Sequence, residues 1–299
     1  MMKQRTVRKS YRFEGKSLHT GLVSSVCIKP AGTGSGIVFL RSDLGVEIPA
    51  LASNVVSVAR STILGLGDVT VGTIEHILSA LTGLGVDNAL IEVSASEMPI
   101  LDGSARPYVE AIIADGLQEQ DSERRYLELR EPVVVEDPAS GARIEINPAE
   151  RPSIDIEVDF NSKVLGIQNA HWDESVDYAS QIAPCRTFCF FHELEFLLQA
   201  GLVKGGDLDN AIVVVERPVT EERFQQVRRL FTTSEVAVKN GYLDNLELHF
   251  PNECARHKLL DIIGDMRLAG GYLNAAVSAY KPGHGINTEA ARAAAEKSF

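Results

Sequence analysis

His257, Asp261 and Asp265 recur one helical turn apart near the C-terminal end of this 299-residue chain. At about 100° per residue they share one helix face, and a His and an Asp at i, i+4 can reach the same metal ion. A helix predicted over residues 252–268 would place Ala255, Leu259, Ile262 and Met266 on the packing stripe. Polar helix faces are most often simply solvated. This one, however, also carries Cys254, Gly264 and Leu268, where open water would favour Lys and Glu. A third ligand must come from elsewhere, and the other histidines are His19, His76, His171, His192, His249 and His284.

His76 follows Glu75 in a segment that is otherwise apolar or small. Neighbouring helical residues point about 100° apart, so one could bind a metal while the other reaches water beside it. On spacing alone such a pair is more often a helix start or a surface feature, and no HExxH pattern marks a metal site. His284 lies in Lys281-Pro282-Gly283-His284-Gly285, a loop stiffened by Pro and opened by two glycines. An imidazole there suits proton transfer near neutrality, although the same pattern also describes an exposed turn histidine. His171, His192 and His249 sit among polar or charged neighbours and are assigned no role.

These residues need elements to hold them. In the first half, segments 6–13, 23–28, 37–40 and 46–48 read as strands separated by Gly and Pro signals. Ile74, Ile77, Leu78 and Leu81 then recur at helical spacing until Gly83 and Gly85. A strand over 88–93 and a helix over 104–116 follow, with Ser104 as cap and Pro107 in its first turn. The polar run 118–125 is the predicted linker. Beyond it, segments 126–135, 142–146 and 154–160 read as an antiparallel meander. Residues 188–215 mix a short helix, a Gly205-Gly206 turn and a buried-strand pattern over 211–215. A helix over 252–268, a strand over 272–280 and a helix over 288–297 close the chain.

Both halves thus end helix, strand, helix, and His76 and His257 fall at comparable places in their helices. The expected fold is α+β, with two similar domains, each an antiparallel or mixed sheet packed against helices. The predicted domains are residues 1–121 and 122–285, with 286–299 as a C-terminal helix on the second.

With 44% hydrophobic residues the chain can bury ordinary cores and is not disordered. Its 29 basic and 41 acidic residues, net charge -12, disfavour general nucleic-acid binding, so an anionic ligand must meet a local positive site. No stretch approaches the ~20 apolar residues of a spanning helix and the start lacks a signal core, so a cytoplasmic protein without a membrane span is expected. Cys27, Cys185, Cys189 and Cys254 lack CxxC spacing and read as reduced thiols, with a structural cluster of Cys185, Cys189, Cys254 and His257 as the alternative.

Taken together, Lys16-Ser17-Leu18-His19-Thr20-Gly21, Thr73-Ile74-Glu75-His76, Pro99-Ile100-Leu101-Asp102-Gly103-Ser104, Arg186-Thr187-Phe188, Gly205-Gly206-Asp207-Leu208-Asp209-Asn210-Ala211, Arg256-His257-Lys258 through Asp261 to Gly264-Asp265, and Pro282-Gly283-His284 resemble the UDP-3-O-acyl-N-acetylglucosamine deacetylases of lipid A synthesis. They follow that family's order along nearly the whole chain.

The resemblance implies an active site at the interface of the two domains, with a Zn2+ held by His76, His257 and Asp261, Glu75 as general base, His284 as acid or electrostatic partner, and Asp265 orienting His284. It further implies Thr187 stabilising the oxyanion, substrate contacts at Phe188, Lys258, Leu18 and Ile63, and an acyl-chain passage near 188–215. The implied reaction removes acetate from UDP-3-O-(3-hydroxyacyl)-N-acetylglucosamine. Cys185 and Cys189, flanking Arg186-Thr187-Phe188, replace the family's usual small residues. The pattern is similar to the branch fused to a 3-hydroxyacyl carrier-protein dehydratase. Two other classes compete: a non-catalytic sugar-nucleotide or acyl-chain binding module, and a purely structural two-domain protein. The complete set Glu75, His76, His257, Asp261 and His284 argues against the first, since mere binding does not need it, and absence of bound metal at micromolar zinc would favour the second.

Overall fold

The computed structural model describes residues 2–194, 204, 205, 207, 209–230 and 237–298. Two five-stranded mixed sheets dominate, and they have the same topology. The first runs Tyr11–Lys16, Val23–Pro30, Ala89–Val93, Ile37–Arg41, Val46–Pro49 in spatial order; the second runs Val133–Asp137, Ala142–Pro148, Ala275–Tyr280, Ser153–Asp159, Ile167–Asp173. In each, the last strand in sequence inserts at the centre, antiparallel to the second strand and parallel to the third. The protein is therefore α+β with two similar domains.

The helices that accompany the sheets include α1 (Glu75–Leu84), α2 (Arg106–Ile113), α3 (Tyr178–Gln181), α4 (Glu221–Leu230), α5 (Glu253–Met266) and α6 (His284–Lys297). In both halves a long helix (α1 or α5) precedes the central strand and a second helix (α2 or α6) follows it. The alternation that marks a half-buried strand is plain in Ile37–Arg41 and Ala89–Val93, whose odd positions are buried. One continuous apolar core runs from Ile28, Phe39 and Ile91 in the first sheet, through Ile77, Leu78 and Leu81 of α1, to Leu259, Ile262 and Ile263 of α5 and Ile144 and Ile156 of the second sheet.

Helices α1 and α5 pack directly on each other. Gly264 permits this: a Cβ there would overlap the Glu75 carbonyl oxygen and press on the Ser79 amide. Thr73, buried and at φ 57°, turns the chain into α1, an unusual conformation for a β-branched residue. Its hydroxyl donates to Glu97, whose carboxylate also accepts the His19 and Thr20 amides and so ties down the turn.

Each domain carries an insertion at the same topological place, before its long helix. The first is a three-stranded sheet of Val55–Ser57, Ile63–Leu66 and Val69–Val71; the second includes a four-stranded sheet of Phe188–Phe190, Ile212–Val214, Tyr242–Leu243 and Val238–Lys239. Within the second, Ile212 and Val214 pack with Cys254 and Phe190 on one face, while Val213 and Val215 pack with Phe191 and Leu194 on the other.

Several expectations need correction. The polar run at 118–125 is not a linker for most of its length: Leu117–Glu123 forms a strand antiparallel to Lys3–Val7, an exposed pairing whose polar side chains hide it from a hydrophobic pattern. The segments at 142–146 and 154–160 are not neighbours in a meander, because Ala275–Tyr280 enters between them. The apolar segment 126–135 breaks into Tyr126–Leu127 and Val133–Asp137, and 6–13 spans parts of Lys3–Val7 and Tyr11–Lys16. The last helix begins at His284 instead of near 288. No described helix is long and apolar enough to cross a membrane.

Candidate active site

The seam between α1 and α5 gathers the titratable residues. Glu75 and His76 occupy the first turn of α1, while His257, Asp261 and Asp265 follow one another along α5. All five are buried. His76 and His257 face each other edge-on, with ring centroids 5.1 Å apart. Their places are not comparable within the helices, since His76 is the second residue of α1 and His257 the fifth of α5.

Ligand atoms of His76, His257 and Asp261 lie within 4.8 Å of one another, the single such group among the described residues. Asp261 Oδ1 stands 3.5 Å from His257 Nε2 and 3.9 Å from His76 Nε2, and this buried oxygen has no hydrogen-bond partner. Its other oxygen accepts from Lys258 Nζ at 2.8 Å. His257 Nδ1 lies 3.0 Å from the Cys185 carbonyl, which can only accept, so the proton sits on Nδ1 and the Nε2 lone pair faces Asp261.

Burial, with His257 alongside, drives the His76 pKa down to about 3, and burial first of all lowers that of His257. Both imidazoles are therefore neutral. Burial would raise the Asp261 pKa, but Lys258 and the imidazoles override it and hold the carboxyl below its usual range. Two neutral nitrogens and an unpartnered carboxylate oxygen converging in a buried seam form a donor set that fits zinc. The alternative cluster of Cys185, Cys189, Cys254 and His257 does not converge. Burial pushes the Cys189 and Cys254 thiols up to about 12 and raises Cys185 as well, so these are inert thiols, and all four cysteines are free.

Beside His76, His257 and Asp261 lie Glu75 and His284, a candidate acid–base pair. Burial lifts the Glu75 pKa to about 7, with Asp265 and Asp261 adding and His284 opposing. Its Oε2 accepts from the Thr62 amide at 3.1 Å. His284, the first residue of α6, sets Nδ1 3.0 Å from Asp265 Oδ2. Burial alone would lower the His284 pKa, but the charge and hydrogen bond of Asp265 outweigh it and bring the value to about 9. Asp265 also accepts from Thr62 Oγ1 at 2.6 Å and from Asn287 Nδ2 at 2.9 Å.

Thr187 and Phe188 enter from the second insertion. The Thr187 amide donates to Gly103 O and the Ile212 amide to Thr187 O, pinning the loop between the domains. A buried ion pair of Arg186 with Glu253, at 2.9 Å, fixes the same loop to the start of α5. The Phe188 ring lies edge-on to His257 at 6.4 Å and beneath Lys258 Nζ at 5.8 Å. Ile63 adjoins Thr62 at the start of its strand. Leu18 lies against the second insertion, where its carbonyl accepts from the Gly205 amide, outside the His–His–Asp group. Of the expected acyl-passage segment, residues 195–203, 206 and 208 fall outside the described residues.

Thr62 and Asn287 went unnoticed in the sequence. Asn287 carried a usable signal, for it lies at i+3 from His284 on the same helix. Thr62 carried none, as a single hydroxyl residue ahead of a short strand.

The fold and site define a duplicated α+β protein with a candidate metal centre and a candidate acid–base pair in the seam between its repeats. The family model described as LpxC, UDP-3-O-acyl N-acetylglycosamine deacetylase, matches residues 4–231 and 231–296. The chain belongs to that family. It is 43% identical over 295 residues to a bifunctional enzyme LpxC/FabZ of Porphyromonas gingivalis, covering 98% of this chain and 64% of the relative. It is 40% identical over 299 residues to a UDP-3-O-acyl-N-acetylglucosamine deacetylase of Teredinibacter turnerae, covering 98% of this chain and 90% of the relative. The chain thus spans less than two thirds of the length of the bifunctional relative.

Proposed function

We propose that the protein hydrolyses the N-acetyl group of UDP-3-O-(3-hydroxyacyl)-N-acetylglucosamine in a zinc-dependent reaction of lipid A biosynthesis, releasing acetate in the cytoplasm. The observation that carries this reading is the convergence of His76, His257 and Asp261 beside Glu75. In this reading residues 1–121 and 122–285 are the two domains, the segment near 188–215 admits the acyl chain, and 286–299 closes the second domain. A fused or associated 3-hydroxyacyl carrier-protein dehydratase is the proposed partner.

His76, His257 and Asp261 would hold the ion, which when bound supplies a Lewis acid that acidifies water and polarises the acetamide carbonyl. Glu75, buried and poised near neutrality, takes the proton of the attacking water. The Thr187 hydroxyl donates to the oxygen on which negative charge develops. The leaving amine then takes a proton from His284, whose pairing with Asp265 keeps it charged, or from Glu75 as it returns its proton. Phe188, Ile63 and Leu18 line the apolar side of the substrate, and Lys258 offers the local positive charge that a diphosphate needs against a net charge of -12.

The test is acetate release from the UDP-sugar, with zinc content measured before and after chelation. About one zinc per chain and activity that disappears and returns with the metal are expected. Full activity after complete zinc removal would sink the mechanism, and substrate binding without acetate release by the zinc-loaded protein would favour the binding module.

A further inference from the structure

Thr62 is completely buried, lies in the first domain, and touches both Glu75 and Asp265, the carboxylate that pairs with His284. Its amide donates to Glu75 Oε2, and its hydroxyl donates at 2.6 Å to Asp265 Oδ1, 203 residues away in the chain. Asn287, also completely buried, donates from Nδ2 to Asp265 Oδ2, the oxygen that receives His284 Nδ1. The Asp265 carboxylate is thus met by three donors outside its own helix, Thr62 ahead of the Ile63–Leu66 strand and His284 and Asn287 on α6.

We propose that Thr62 and Asn287 are positioning residues that act through Asp265, and that Thr62 also sets the distance between Glu75 and His284. The inference rests on the reaction proposed above. A carboxylate held by one imidazole can rotate about its terminal torsion, which is broad for Asp, and the imidazole would follow it. With Thr62 fixing one oxygen and Asn287 bracing the other, the carboxylate plane is locked. His284 must then donate from Nδ1, and its Nε2 is the atom left for the leaving amine. The amide and hydroxyl of one residue hold Glu75 and Asp265, so base and acid share a single rigid reference across the domain seam. A hydroxyl that merely needed a partner when buried would require neither the second contact nor the bracing by Asn287.

Thr62→Val preserves shape and the amide while deleting only the hydroxyl. We expect kcat to fall roughly 10- to 100-fold, the usual range for a lost partner of a site ligand, with KM and zinc content unchanged. Thr62→Ser should restore most of it, and Asn287→Leu should show the same split. In an Asp265→Ala background, Thr62→Val should cost less than about twofold more, because the residue it acts through is gone. Independently of turnover, proton NMR of histidine-labelled protein should show a hydrogen-bonded His284 Nδ1–H resonance that shifts in Thr62→Val and recovers in Thr62→Ser. Unchanged kcat in Thr62→Val, an undiminished loss in the Asp265→Ala background, or an unmoved His284 resonance would overturn the proposal. Absence of acetate release by the parent protein would overturn the proposed function instead, and the resonance would still decide the positioning role.

Discussion

The two domains use one frame for different work. Their five-stranded sheets have the same strand order, and each admits an insertion before its long helix. Yet the long helices carry polar residues at different heights: α1 at its first turn, with Glu75 and His76, and α5 along its middle and end, with His257, Asp261 and Asp265. The helices after the central strands differ as well. At the start of α2, Asp102, Ser104 and Arg106 bond to one another locally, whereas at the start of α6 His284 reaches Asp265 on the neighbouring helix. Neither repeat holds a complete metal set. Duplication supplied two scaffolds, and the divergent helix faces make a site only where the scaffolds touch.

The sharpest way to separate the two contributions is to remove one residue from each. His257→Ala should lose both zinc and acetate release, while Glu75→Gln should keep zinc and lose turnover by roughly 10²–10⁴-fold, the size of an absent acid–base group. Zinc retention by His257→Ala, measured by metal analysis, would break the assignment of α5 as the metal helix.

The contact between the repeats can be opened next. Gly264→Ala should cost about 1–3 kcal/mol of unfolding free energy by overpacking, and should weaken zinc binding because α1 must shift to clear the new methyl group. Gly32→Ala, in open space, is the control and should leave both unchanged. Equal effects in denaturant titrations would mean that the close helix approach does not hold the site.

A pH profile reads the α6 side of the seam. In the proposed mechanism Glu75 must be ionised, with a value of about 7, and His284 protonated, with a value of about 9, so turnover should peak between the two, fall as pH drops through the first and be lost as pH rises through the second. Asp265→Asn removes the charge that sustains the second value, so the alkaline limb should move toward the ordinary histidine range. A limb that stays in place would assign amine protonation to Glu75.

The smallest effect belongs to the outer strand of the second sheet. Burial opposes the charged form of His171, but the hydrogen bonds and charges of Asp155 and Asp173 together outweigh it and raise its pKa. A raised folded pKa adds stability that is fully present below the unfolded value of about 6.5 and disappears as pH rises through the folded one. His171→Gln should therefore lower stability at pH 6 and not at pH 9, by no more than about 1 kcal/mol for so exposed a group, with turnover unaffected. Loss of activity would show that this strand reaches the site.

How far the residues themselves revealed this arrangement depended on the range of each signal. The i, i+4 spacing of His257, Asp261 and Asp265 determined a one-sided polar face, because helix geometry is local. The ordered motifs from Lys16 to His284 determined the family resemblance, and apolar periodicity located α1, α5 and most core strands. Leu117–Glu123 was misread because its pairing with Lys3–Val7 leaves mostly polar side chains outward, and the central place of Ala275–Tyr280 was illegible because sheet order is a long-range property. Only the tertiary structure brought His76 to His257, turned the free oxygen of Asp261 toward both, and delivered Thr62 to Asp265. Those contacts depend on two helices touching where Gly264 has no side chain, and no local pattern encodes the distance between residues 203 positions apart.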